Sequence, residues 1–132
     1  MLGVCLANAV GTVSVAVSGF TLGWTHSIEK LRWEERWRVE ETALVLEVVQ
    51  VRGFGAGMEP PPEAVLKDGV WRWTPGTRHE ALRLTRSGFT EDYVWCEADG
   101  SGCRSMASLL AADGGVTMVS PGACTPGVSA DE

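Results

Sequence analysis

Hydrophobic residues fall at every second position along two stretches near the start of the chain. Val13, Val15 and Val17 alternate with Ser14, Ala16 and Ser18; Phe20, Leu22 and Trp24 alternate with Thr21, Gly23 and Thr25. A period of two sends alternate side chains to opposite faces of an extended chain, so two strands with one buried face are expected here. Arg32–Val39 fits two periods. As a helix it consists of good formers, with Trp33 and Trp37 four apart on one face. As a strand it keeps Trp33, Glu35, Trp37 and Val39 on one face and points Glu34, Arg36 and Arg38 the other way. The local pattern fits both. Ala43–Arg52 (ALVLEVVQVR) is rich in Val and Leu and long enough for a central strand.

Beyond Arg52 the run Gly53-Phe54-Gly55-Ala56-Gly57-Met58-Glu59-Pro60-Pro61-Pro62 suits neither helix nor ladder. It predicts a glycine loop leading into an extended, polyproline-like arm. Val70–Trp73 predicts a short strand with Trp71 and Trp73 on one face, and Pro75-Gly76 a turn. His79–Arg86 predicts a strand with Leu82 and Leu84 inward, and Asp92–Ala98 another carrying Tyr93 and Trp95. Asp99-Gly100 is a hairpin signal. Ser105–Ala112 suits one or two helical turns, and Val116–Val119 a last strand. Many short strands, frequent turns and no βαβ alternation give an all-β fold: an antiparallel sandwich or partly open barrel with one short helix near residues 105–112. Residues 1–120 are expected to form a single β domain, and 121–132 a disordered tail.

Composition adjusts this picture in two places. The 132 residues carry a formal net charge of −6 with a pI near 4.9, and the eleven basic residues form no polybasic tract. No nucleic-acid partner is therefore expected, because phosphate backbones call for clustered Lys and Arg. The first charged residue is Glu29. Gly3, Gly11 and Gly19 interrupt the uncharged start and Asn8, Thr12, Ser14 and Ser18 dilute it, so it reads as core rather than a membrane span. It lacks a basic n-region, which favours a cytoplasmic location; a small-residue site at Ala16-Val17-Ser18 keeps a periplasmic one open.

Candidate chemistry is sparse. In a two-residue turn at Asp99-Gly100 the register sets Cys96 opposite Cys103, at a distance a disulfide needs; a four-residue turn over Asp99–Gly102 would relax such a bridge. Two free thiols are the alternative. No cofactor or zinc site is expected, since there is no second close cysteine pair and the histidines are distant in sequence. GFGAG follows a strand but opens no helix, so it is no nucleotide motif, although bare N–H groups at Gly55 and Gly57 could hold an anion. Six tryptophans are many for this length, and a cleft walled by Trp71 and Trp73, or by Trp33 and Trp37, would take a flat or apolar small organic ligand or a protein. His26, Ser27, Glu29, Glu34 and Glu35 are the only local set of base, nucleophile and carboxylates. In a strand His26 and Ser27 point to opposite faces, and no G-x-S-x-G elbow surrounds Ser27.

The strings F-T-L-x-W-T-H-S-I-E-K at Phe20–Lys30, W-E-E-R-W-R-V at Trp33–Val39, G-F-G-A-G-M at Gly53–Met58 and G-x-W-R-W-T-P at Gly69–Pro75 resemble a bacterial family, domain of unknown function 1850. In relatives the position of Leu31-Arg32 often carries Thr-Pro, which turns the Arg32–Val39 expectation toward a strand. The resemblance implies small proteins often encoded beside tripartite periplasmic transporters with a fused permease and a solute-receptor subunit. It carries no assigned reaction. The family's motif positions map to His26, Ser27, Glu29, Glu35, Gly55 and Gly57. The expectation is a non-enzymatic accessory or ligand/protein-binding module, with the permease or solute receptor as partner. The alternative is a hydrolase or metal-dependent enzyme centred on His26, Ser27 and Glu29.

Overall fold

A computed structural model describes residues 2–25, 31–52, 60–88 and 91–125. Twelve strands are formed among them: β1 (Val4–Asn8), β2 (Gly11–Val15), β3 (Gly19–Thr25), β4 (Arg32–Val39), β5 (Leu44–Arg52), β6 (Val65–Lys67), β7 (Val70–Trp73), β8 (Thr77–His79), β9 (Leu82–Thr85), β10 (Val94–Glu97), β11 (Arg104–Ser105) and β12 (Val116–Pro121). The smaller sheet runs β2-β1-β12-β9. The larger runs β11-β10-β3-β4-β5-β7-β6, with β8 added against β5. Every pairing is antiparallel and neither sheet closes on itself, so the domain is a partly open all-β sandwich. Among the described residues no helix is long and apolar enough to cross a membrane.

The ambiguous segment Arg32–Val39 is a strand. It is paired along its length with β3 on one side and β5 on the other, which satisfies its backbone without helical bonds. The register with β5 shifts by one between Arg36 and Trp37, leaving Glu47 as the extra residue of a bulge. The bulge switches the parity of β5. Leu44 and Leu46 before it, and Val49 and Val51 after it, therefore face the same side as Trp33, Glu35, Trp37 and Val39.

Several expected boundaries move. The alternation read at Val13–Val17 belongs to β2, which ends at Val15, and it pairs with β1, a strand the hydropathy pattern did not suggest. His79–Arg86 is two strands. The chain leaves the large sheet after His79 and joins the small one at Leu82, so β8 pairs with β5 and β9 with β12. The helix expected over Ser105–Ala112 shrinks to one 3-10 turn, Met106–Ser108, whose Ala107 N–H donates to Ser105 Oγ. Its last backbone bonds are those of the Leu109 and Leu110 N–H groups to Met106 O; beyond them Leu110 O accepts from Arg86 and Ala111 O from Asn8. The last strand reaches Pro121, Gly122 N–H donates to Gly3 O, and Cys124 is disulfide-bonded to Cys5. Residues 121–125 are thus attached to the small sheet, and 126–132 lie outside the described residues.

The main core lies between the sheets. Val4, Leu6, Leu82, Leu84 and Val119 of the small sheet meet Phe20, Leu22, Trp37, Leu44 and Trp95 of the large one, with Met106 and Leu110 filling from the 3-10 segment. Phe20 and Trp95 stack with centroids 4.3 Å apart. One cation is buried here. The Arg86 guanidinium makes a two-pronged pair with Asp92 (2.9 and 2.8 Å) and also donates to Thr117 Oγ1 and Leu110 O, so β9, β12 and the 3-10 segment share one hub. Burial alone would push the Asp92 carboxyl up. Hydrogen bonds from Arg86 and the Tyr93 N–H, with the Arg86 charge, outweigh it and hold the group below the usual aspartate range.

Candidate ligand-binding face

The inner face of the large sheet is longer than the small sheet that covers it, and a second hydrophobic cluster occupies the remainder. Register fixes its layout. One row across the strands reads Trp95, Leu22, Glu35, Val49, Trp73; the next reads Trp24, Trp33, Val51, Trp71, Leu66. Trp37 follows Glu35 on the same side of β4, so all six tryptophans face inward. Leu31, Val49 and Val51 are buried at the base of this cluster, while Trp24, Trp33, Glu35, Trp71, Trp73 and Tyr93 are each half-buried.

The rings form a connected wall. Trp24 and Trp33 lie parallel with centroids 6.1 Å apart, Tyr93 meets Trp24 edge-on at 5.6 Å, and Trp73 meets Trp33 edge-on at 6.3 Å. Glu35 is the single carboxylate in the two central rows. It accepts a hydrogen bond from Trp37 Nε1 at 3.3 Å and has no ion-pair partner among the described residues. Burial raises its pKa above the ordinary glutamate range, and the Trp37 bond offsets that only in part. The Tyr93 hydroxyl is pushed up as well, first by burial and then by the negative charge of Glu35 and Asp92. The result is a wall of half-exposed aromatic rings with one half-buried acid on the same face.

Of the residues singled out in the sequence, Glu35, Trp71 and Trp73 come together on this face. Trp24 and Tyr93 join them, although strand periodicity alone had given no reason to group them with Glu35. His26, Ser27, Glu29, Gly55 and Gly57 lie outside the described residues. The strand ends that flank those two segments, Thr25, Arg32 and Arg52, are in register with one another. Cys96 and Cys103 are bonded across the β10–β11 hairpin with Cα atoms 4.1 Å apart. Its connection is longer than two residues: Glu97 N–H donates to Ser101 O, and Gly100 and Gly102 both take positive φ. Among the described residues no group of three or more His, Cys, Asp or Glu side chains is placed to hold a metal ion.

Fold and face together define an all-β, two-sheet antiparallel domain with a tryptophan-lined inner surface extending past its core. The sequence profile of the domain of unknown function DUF1850 matches residues 20–103, well over half of the chain, and the protein belongs to that family. That span runs from β3 through the Cys96–Cys103 hairpin and includes the whole aromatic face. No curated protein and no solved structure matches the chain.

Proposed function

We propose that this domain is a non-enzymatic binding module that holds a flat or apolar organic group, free or on a protein partner, against its inner aromatic face. The observation that carries the reading is the half-buried Glu35 carboxylate, without an ion-pair partner among the described residues, on the same face as Trp24, Trp33, Trp73 and Tyr93. Partly exposed aromatic rings with a fixed polar group beside them offer large contact area at small entropic cost. In this reading the module is a bacterial accessory to a tripartite solute-uptake transporter, with the permease or the solute receptor as partner; the family resemblance supports it.

Two measurements test this. Co-purification with the permease and solute receptor of a tripartite transporter should retain at least one of them, and Trp33→Ala should lower that retention about tenfold or more, as expected for an aromatic anchor. A thermal-shift screen over flat aromatic and apolar organic compounds should give ligands whose stabilisation is lost in Trp33→Ala and Trp73→Ala. Failure of both, in a protein whose unfolding remains cooperative, removes the proposal. The enzyme reading centred on His26, Ser27 and Glu29 rests on residues outside the described ones, and no specific observation favours it.

A further inference from the structure

The opposite, outer face of the large sheet concentrates charge that is dispersed in the sequence. Alternation along the strands puts Arg32, Arg36 and Arg38 of β4, Arg52 of β5, Lys67 of β6, Arg72 of β7 and Arg78 of β8 on this one face, seven of the eleven basic residues of a chain whose net charge is −6. They are not equally neutralised. Arg38 pairs with Glu40 and Glu47 at 2.9 Å, and Arg78 pairs with Glu40. Arg52 has Glu34 only at 3.8 Å, outside hydrogen-bond length. Arg72 and Lys67 have neither an ion pair nor a hydrogen bond among the described residues.

These three under-compensated cations surround one apolar residue. Register places Val70 between Lys67 and Arg52, and Arg72 is the next residue of β7 on the same side. Neighbouring strands lie about 5 Å apart and same-face positions along a strand about 7 Å apart, so the three charges converge within the reach of one small molecule. A concavity of about 590 Å³ lies over them, lined by Gln50, Arg52, Lys67, Arg72, Val65 and Val70, with Glu63, Asp68, Thr74 and the edge residue Trp73 also in its lining. Glu63 and Asp68 belong to turns rather than to the sheet floor. A smaller hollow of about 240 Å³ shares Gln50 and Arg52 and extends toward Arg36. The larger volume falls within the ordinary range for small-ligand sites.

We propose that this concavity is a binding site for a small organic anion, a carboxylate with a short apolar body, held by Arg52, Arg72 and Lys67 with its apolar part over Val70 and Val65. A bound carboxylate relieves the mutual repulsion of three cations and gives Arg72 a planar, two-oxygen partner that its guanidinium fits. The three cations lie on the side of the sheet opposite the aromatic wall, and of that wall only Trp73 also lines the concavity.

The test is a titration of the full chain at low ionic strength, followed by backbone amide resonances, with pentanoate and glutarate as probes and pentylamine as the control of opposite charge. Both carboxylates should shift resonances of Val65–Thr74 and Gln50–Arg52, and added salt should weaken them. Arg72→Gln should raise the dissociation constant about tenfold, the loss expected for one charge-assisted contact. Lys67→Gln, at an exposed position, provides a second variant whose fold is not in question, and it should also weaken binding. Trp33→Ala should leave these titrations unchanged, so failure here and failure of the aromatic face are read separately. No shift at millimolar carboxylate, equal shifts with pentylamine, or unchanged affinity in both charge variants would overturn the assignment.

Discussion

Replacing Cys5 and Cys124 together with alanine should destabilise the domain about twice as much as replacing Cys96 and Cys103. The two disulfides differ chiefly in the loop they close, with sequence separations of 119 and 7. In the chain-entropy description a cross-link acts by restricting the unfolded chain. At 25 °C the long loop is worth about 5 kcal/mol and the short one about 2.5 kcal/mol. Alanine avoids placing a hydroxyl at Cys96, which is buried. The other side of the balance changes little, because β1 stays paired to β12 from Val4↔Pro121 to Ala7↔Met118 without the bridge. An unfolding entropy of about 2.1 cal/mol/K per residue over a chain of this length makes 1 kcal/mol worth about 3.6 °C. The expected falls in Tm are therefore about 18 °C and about 9 °C. Calorimetry and urea unfolding of the two double variants under oxidising conditions measure both. Full reduction of the wild type should cost about the sum of the two effects. Equal losses, or a larger loss at the 96–103 hairpin, would refute the reasoning, since loop length would then not be the controlling quantity.

Other expectations follow from the site and the core. Glu35 has a raised folded-state pKa, so the folded state holds its proton more tightly than the unfolded one; the stability this contributes is full below the ordinary glutamate range and is lost as pH rises through the folded value. Glu35→Gln should remove that loss and be more stable than wild type at neutral pH, and urea midpoints across a pH series will show whether the slope vanishes. Asp92 has the opposite sign: its contribution is present above the ordinary aspartate range and disappears as pH falls through its lowered value. Asp92→Asn should cost about 2–3 kcal/mol in urea unfolding, the usual cost of breaking a buried pair reduced because a fifth of the Asp92 side chain is in water. Gly3→Ala should cost about 1–3 kcal/mol, since its Cβ would stand 2.7 Å from the Val15 carbonyl oxygen; Gly23→Ala meets the movable end of the Arg32 side chain and should change stability by less than about 0.5 kcal/mol.

Where alternation is strong the strands could be read directly: Phe20–Trp24 and Ala43–Arg52 each carry one apolar face, and each is a strand. Arg32–Val39 could not be decided locally, because tryptophans four apart share a face under either period, and only its pairing on both sides makes it a strand. β1 was hidden by its small residues. Val4, Leu6 and Asn8 point inward, but Cys5 and Ala7 between them are too apolar to mark an outer face. The hydropathy of His79–Arg86 is continuous, yet its backbone changes sheets midway, a break that depends on which partner strand is nearest.

The chain's own pattern thus determined an antiparallel all-β domain, the Cys96/Cys103 juxtaposition across a hairpin, and the shared faces of Trp33 with Trp37 and of Trp71 with Trp73, because each depends on residues within a few positions of one another. Only the tertiary structure decided that all six tryptophans and Glu35 share one face, that Cys5 meets Cys124, and that seven dispersed cations line the other side of the sheet. Those arrangements are set by strand order and by the one-residue bulge at Glu47, and the free energy that selects them comes from burying two whole sheets against each other rather than from any local run of residues.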